Sequence, residues 1–444
     1  MAQRVKMDWV LFWTILGMVA MGLVMVYSAS SVLTELSEKI ARNANSARVG
    51  LRIGAALGGA LVLYAMIRRW RQDALPLTWA FVGLSAVALL QLLAYWIAQD
   101  QSAHYAFLLR QGAAALAGFF ALVLISQRDY RDFRSARWAF AALGIVIFLL
   151  ILACIADTRQ HRWIRLGISI QPSEFAKPAL IVFLAWFVTL RRQAINTSAT
   201  VWPVAIALTM MAGLVVIGDF GTAVVLVVTA AAIFYLAGLN RRYILSAIGI
   251  GSILLMGAIA YRPYRLLRLI LFVDPEYKYL VVVDPGKKML HWAEANSPVK
   301  DTSYHGLQSK IAIGAGGVVG LGIMESRQKM LFLPEAHTDF IYAIVAEELG
   351  LWGASLILAG FLVILWRGYQ LYFTAADDFG RYLAIGVTTT LVFQALLNMS
   401  VVLDLGPTKG IPLPLISFGG SSMLSTMISL GLLLSVSQRA SHAG

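Results

Sequence analysis

Residues 333–366 read LPEAHTDFIYAIVAEELGLWGASLILAGFLVILW. From Phe340 to Trp366 the run is apolar apart from Glu347 and Glu348, and it is longer than the roughly 20 residues a helix needs to cross a bilayer. It reads as a membrane span with its chemistry gathered at one end. Glu335, His337 and Asp339 stand at the mouth, while Glu347 and Glu348 lie about two turns deeper. Carboxylates at that depth are costly, and they persist where they pair with internal groups or serve a function.

Working outward, comparable apolar runs recur at about 9–28, 50–67, 78–97, 106–126, 136–156, 173–190, 201–217, 219–238, 243–260, 382–403 and 413–436. With the span at 340–366 they predict an all-α helical bundle of about twelve transmembrane helices. The ten-residue alternation of a transmembrane barrel is absent. Composition agrees: of 444 residues, 59% are hydrophobic and 13% charged, which excludes a soluble globule. The one cysteine, Cys154, excludes an intramolecular disulfide and a cysteine-based metal or redox site. The run at 9–28 is too long for a signal-peptide core and is read as a retained first span.

The formal charge of +13 needs no nucleic acid to explain it. Basic residues recur in alternate short loops: Arg4 and Lys6; Arg68, Arg69 and Arg71; Arg128, Arg131, Arg134 and Arg137; Arg191 and Arg192; Arg241 and Arg242; Arg367; and Arg439. The positive-inside rule then places both termini in the cytoplasm. The one long connection, about 261–338, falls outside, yet it carries Arg262, Arg265, Arg268, Lys278, Lys287, Lys288, Lys300, Lys310, Arg327 and Lys329. A cationic outer surface suits an anionic lipid-linked substrate such as a diphosphate. Long loops also translocate regardless of charge, so both readings stand.

Position alone leaves Asp339 equally a helix cap and a functional carboxylate. Glu347 and Glu348 are expected to pair internally. In RQHRWIRLGISIQPSEFAKPAL, residues 159–180, Trp163 between Arg162 and Arg165 reads as an interfacial anchor. Pro172 and Ser173 open a helix, and Glu174 and Lys177 form an ion pair three residues apart. IGAGGVVGLG, residues 313–322, lacks the GxGxxG spacing of a nucleotide loop. Its glycines suit close backbone approach to a lipid head group, or a re-entrant turn. The six histidines are scattered, with no pair at metal-ligand spacing.

Five blocks, WIRLGISIQPSEFAK, DFGTAVVL (219–226), QSKIAIGAGG (308–317), LPEAHTDFIYAIVAEELG and PTKGIPLPLISFGGSS (407–422), together resemble the SEDS family of cell-wall proteins. They fall in order over about 105–437, and YSASS at 27–31 matches the first helix. SRQK at 326–329, Ala336 and PTKG are most similar to the division branch, against the elongation and sporulation branches. The chain reads as a single membrane domain, 1–444: first span 9–28, core spans over 105–260, an extracytoplasmic loop 261–338, and three last spans over 339–437, with an inserted region 33–104 whose two extra spans depart from the family's ten-span pattern.

The resemblance implies a glycosyltransferase that polymerises lipid II on the outer face of the bacterial inner membrane, at the division septum. A class B penicillin-binding protein and other division proteins are its implied partners. Asp339 matches the family's essential aspartate. Physical chemistry fits that role: a sugar hydroxyl needs a general base, whereas a diphosphate leaves without protonation, so one carboxylate plus cations suffices. Arg265 and Arg268, with Lys310 or Lys329, are candidates to neutralise the diphosphate, and Glu335, His337 and Lys409 are further substrate contacts. A divalent cation, Mg or Mn, would serve the same end, although no ligand cluster demands one. The chain departs from the pattern at Gly218, at His305 and in a longer loop between Asp274 and Tyr304. Two rival readings are a lipid II flippase using Glu174, Lys177, Glu347 and Glu348, and an elongation-type polymerase.

Overall fold

The computed structural model describes residues 7–35, 106–157, 161–166, 168–260, 302–406 and 410–440, with short pieces between 266 and 295. It is an all-α polytopic membrane protein. Its helices are α1 (Trp9–Glu35), α2 (Ala106–Gln127), α3 (Ala136–Ala156), α4 (Pro172–Leu190), α5 (Ser198–Gly218), α6 (Phe220–Leu236), α7 (Arg241–Ala260), α8 (Lys288–Ala295), α9 (Thr302–Gly316), α10 (Ile341–Thr374), α11 (Asp378–Val402) and α12 (Gly420–Arg439). Among the described residues, eight of these are long and apolar enough to cross a membrane, and α6 is a shorter apolar helix. The inserted pair expected at 50–67 and 78–97 lies outside the described residues.

Between α3 and α4 the chain forms a small antiparallel hairpin, Ile164–Leu166 with Ile168–Ile170, in which Ile164 faces Ile170. The sequence reading had a loop there. The alternating pattern IRL-ISI is a strand period, and the run is too short to span. The long connection before α10 likewise contains helices, α8 and α9, rather than open loop.

Helices α4, α11 and α12 bury most of their length and form the centre, whereas α3 and α5 present Phe148, Ile155, Trp202 and Ile206 outward. Apolar side chains facing outward meet lipid, so the inner contacts depend on close packing of small residues. The contact between α2 and α12 shows this. A Cβ on Gly118 would press into Met427, and one on Gly431 would meet the backbone of Leu122.

Ion pairs gather the basic loops at one end of the bundle. Asp8 pairs with Arg367 at 2.7 Å, Asp129 with Arg439 at 3.2 Å and Asp377 with Arg131 at 3.1 Å, while Asp378 takes both Arg192 and Arg381. These contacts join the start of α1 to the ends of α2, α4, α10 and α12. The opposite end therefore holds the starts of α2, α4, α10 and α12, and all five sequence blocks meet there.

Candidate functional site

Asp339 lies in the turn before α10. The helix begins at Ile341, and Phe340 occupies its N-cap position, so Asp339 is not the cap residue. It is half-buried. The backbone beneath it is fixed at three successive carbonyls. Phe418 N–H donates to His337 O at 3.0 Å, Ser417 Oγ to Thr338 O at 2.6 Å and Asn398 Nδ2 to Asp339 O at 2.7 Å. Glu335, with φ +53°, turns the chain into this segment and accepts a hydrogen bond from Thr338 Oγ1 at 2.9 Å.

The donors belong to, or brace, the loop between α11 and α12. Ile411, Leu413, Leu415, Ile416 and Ser417 are buried, and Leu415–Ile416 press against α1 so closely that a Cβ on Gly22 would overlap their backbone. Irregular backbone at this depth survives only when protein satisfies its polar groups. Three buried amides in the spans do so. Gln394 Nε2 donates to Pro412 O at 2.8 Å, Asn398 Nδ2 to Ile411 O at 2.7 Å, and Gln111 donates to Ser417 O and accepts from Gly419 N–H, both at 3.0 Å. Gln394 in turn accepts from Lys177, which pairs with Glu174 at 2.7 Å as its spacing predicted. Sequence reasoning missed Gln111, Gln394 and Asn398. Their signal was available: each is an amide inside an apolar run, where polar side chains mark satisfied networks or sites.

The other blocks close the rim. Asp219 caps α6 and accepts from Gln171 Nε2 at 3.0 Å, with Arg162 at 3.5 Å, while Gln171 N–H donates to Ser421 at the start of α12. Ser309 Oγ donates to Val402 O at 2.6 Å, and Lys310 pairs with Asp404 at 2.5 Å. The imidazole of His337 packs edge-on against Phe107 at 5.0 Å and lies 5.6 Å from Phe418. Burial pushes its pKa below the usual histidine value, opposed by the Glu335 carboxylate.

Two expectations change. Lys329, read as a diphosphate contact, is buried and pairs with Glu348 at 3.0 Å beside Ser28. Glu347 takes Ser326 Oγ at 2.5 Å and Arg327 N–H at 2.9 Å, so the two intramembrane glutamates hold the SRQK turn from below. Two glycines of the run, Gly316 and Gly320, approach the protein's own backbone. A Cβ on Gly316 or Gly320 would overlap the carbonyls of Ala346 or Glu348. At Gly350, with φ +64° and ψ −158°, α10 breaks its helical geometry, and Leu321 and Gly322 N–H reach the carbonyls of Glu347 and Glu348. Only glycine adopts that conformation readily.

Arg265, Arg268 and Lys409 lie outside the described residues. Among the described residues, no three His, Cys, Asp or Glu side chains converge as a metal site would require.

Residues 72–442 match the FtsW, RodA and SpoVE family model, described as cell cycle protein. A probable peptidoglycan glycosyltransferase FtsW of Geobacter metallireducens is 37% identical over 342 residues, 75% of this chain and 85% of that one. The stage V sporulation protein E of Bacillus subtilis is 33% identical, over 78% and 90% of the two chains. The crystal structure of the Thermus thermophilus rod shape determining protein RodA superposes with a TM-score of 0.57 at 20% identity, covering 98% of each chain. A chain from a peptidoglycan synthase complex that coordinates polymerization and crosslinking aligns at 25% identity and TM-score 0.58, over 74% of this chain and 89% of that one.

Proposed function

This chain belongs to the FtsW, RodA and SpoVE family, and from that premise we propose that it is a peptidoglycan glycosyltransferase polymerising lipid II, with Asp339 as general base. One observation carries the assignment of the base. Asp339 is a half-buried carboxylate on a turn whose backbone is pinned at three consecutive carbonyls, and it is not the cap of the helix it precedes. A fixed carboxylate at a wet interface suits proton abstraction. The acceptor 4-hydroxyl oxygen attacks the anomeric carbon of the donor sugar as its proton passes to the Asp339 carboxylate. The bond from that carbon to undecaprenyl diphosphate breaks, and the diphosphate leaves as an anion.

Cations of the outer connection, Arg265 and Arg268 first and Lys310 at the rim, offset the charge on the leaving group. Glu335, His337 and Lys409 border the acceptor sugar. If a divalent cation takes part, it would sit with the diphosphate. The positive-inside rule supports a cytoplasmic basic end, and with it a site at the outer face of the inner membrane. The family name supports a role in the cell cycle, and the synthase-complex relative supports a crosslinking partner of the class B penicillin-binding type. The flippase reading loses its groups to the fold: Glu174, Lys177, Glu347 and Glu348 all hold internal partners.

Asp339→Asn tests the base. Asparagine keeps the shape but cannot accept the proton, so the variant should fold, bind its partner and polymerise lipid II at least about 100-fold more slowly. Glycan of normal length and yield from equal amounts of folded variant would refute the assignment.

A further inference from the structure

The chemistry proposed for Asp339 needs its carboxylate in one place, and two residues outside the HTDF turn meet that requirement. Asn398, on α11, is buried at 2% exposure. Its side-chain nitrogen lies 2.7 Å from Asp339 O and 2.7 Å from Ile411 O. Two carbonyls facing one amide fix its orientation, because only the NH2 group can donate to both. One side chain therefore ties the turn that carries the carboxylate to the buried loop. Gly410, the residue before Ile411, lies directly against the carboxylate. The three atoms nearest to a Cβ built on Gly410 are Asp339 Oδ2, Cγ and Oδ1, and the first would overlap it outright.

We propose that Asn398 and Gly410 are positioning residues for Asp339: Asn398 sets the backbone of the turn against the buried loop, and Gly410 leaves the space that the carboxylate occupies. The inference rests on the general-base reading of Asp339. Neither residue touches substrate in this scheme. Any side chain at Gly410 forces the carboxylate to move, since its Cβ would overlap Asp339 Oδ2. A shift of about 1 Å in a reacting group costs on the order of 100-fold in rate. Since the displaced atoms end a side chain and are not backbone, the fold has a way to absorb the change while the chemistry does not.

Two measurements on the full-length chain in lipid nanodiscs decide it. In lipid II polymerisation, Gly410→Ala and Asn398→Ala should each lower kcat by about 10- to 100-fold per folded molecule, with KM changed less than about threefold. Gly213→Ala, on α5 with no atom near its added methyl, should leave both constants unchanged. The second measurement needs no activity. In thermal unfolding, Gly410→Ala should cost clearly less in an Asp339→Ala background than in the wild type, because truncating the carboxylate frees the space.

Additive stability effects of Gly410→Ala and Asp339→Ala would overturn the seat, and a full kcat in folded Gly410→Ala would overturn the positioning role. Both results leave the reading of Asp339 intact if Asp339→Asn is inactive. An active Asp339→Asn removes that reading and the positioning role together, even where the stability coupling is present.

Discussion

At the scale of single residues, the outer turn was legible in the sequence through its charges but not through its supports. Glu335, His337 and Asp339 announced themselves as polar groups at the mouth of an apolar run. Asn398 showed only as an amide inside an apolar run and Gly410 only as one residue of PTKG; the contact each makes with Asp339 is far away in sequence, and no local pattern encodes it. His337 gives a prediction at this scale. Burial between Phe107 and Phe418 holds its pKa below the unfolded value of about 6.5. Above that value both folded and unfolded states carry a neutral ring. As pH falls through it, the unfolded chain binds the proton first, so stability present at neutral pH is lost on acidification. Wild-type protein should therefore lose more thermal stability between pH 7.5 and 5.5 than His337→Phe, which keeps the ring contacts and cannot titrate. Equal losses would mean that the imidazole charges as easily in the fold as outside it.

At the scale of elements, the sequence correctly marked Glu347 and Glu348 for internal pairing yet assigned Lys329 to the surface. Spacing shows that a lysine sits in an outer connection. It does not show that the connection returns beneath the first helix, where Ser28, Glu348 and Lys329 form one buried cluster. The glycines make the return possible. Gly316, Gly320 and Gly350 let two backbones meet where any side chain would collide, and the broken helix at Gly350 frees carbonyls for Leu321 and Gly322. Removing one member of a buried ion pair strands the other charge. Lys329→Met alone should cost about 3–5 kcal/mol of stability, and the double variant Lys329→Met with Glu348→Leu should cost less than the sum of the single changes. Unfolding of the purified variants measures both. Strict additivity would mean that the two groups act independently, and then the SRQK turn would be held by Glu347 alone.

At the scale of the whole molecule, the helical spans of the described residues were legible because hydropathy is summed over many residues, so that no single misreading alters the result, while loop charge supplies an expectation of their direction. The helices of the outer connection were not legible, since they depend on packing at the rim, whereas the hairpin at 164–170 left a strand period that the reading passed over. The ion pairs at the basic end add a second, independent constraint on direction. Asp8, Asp129, Asp377 and Asp378 each take an arginine from a different part of the chain, so the start of α1, the ends of α2, α4 and α12, and the connection from α10 to α11 share one side of the membrane. If that side is cytoplasmic, a reporter that is active only in the cytoplasm should be active when fused after Arg134 or Arg439, and silent when fused after Lys310. A fusion at Arg71 extends the test to the region that precedes α2. Glu35 and Ala106 lie at the end opposite Asp8 and Asp129, so the inserted pair expected from the sequence would return the chain to the cytoplasm midway, and the Arg71 fusion should then be active. Silence there, with activity at Arg134, would remove the inserted pair while keeping the orientation of the core. Silence at Arg134 would invert the bundle and move Asp339 to the cytoplasmic face, where lipid II polymerisation on the outer surface would be impossible.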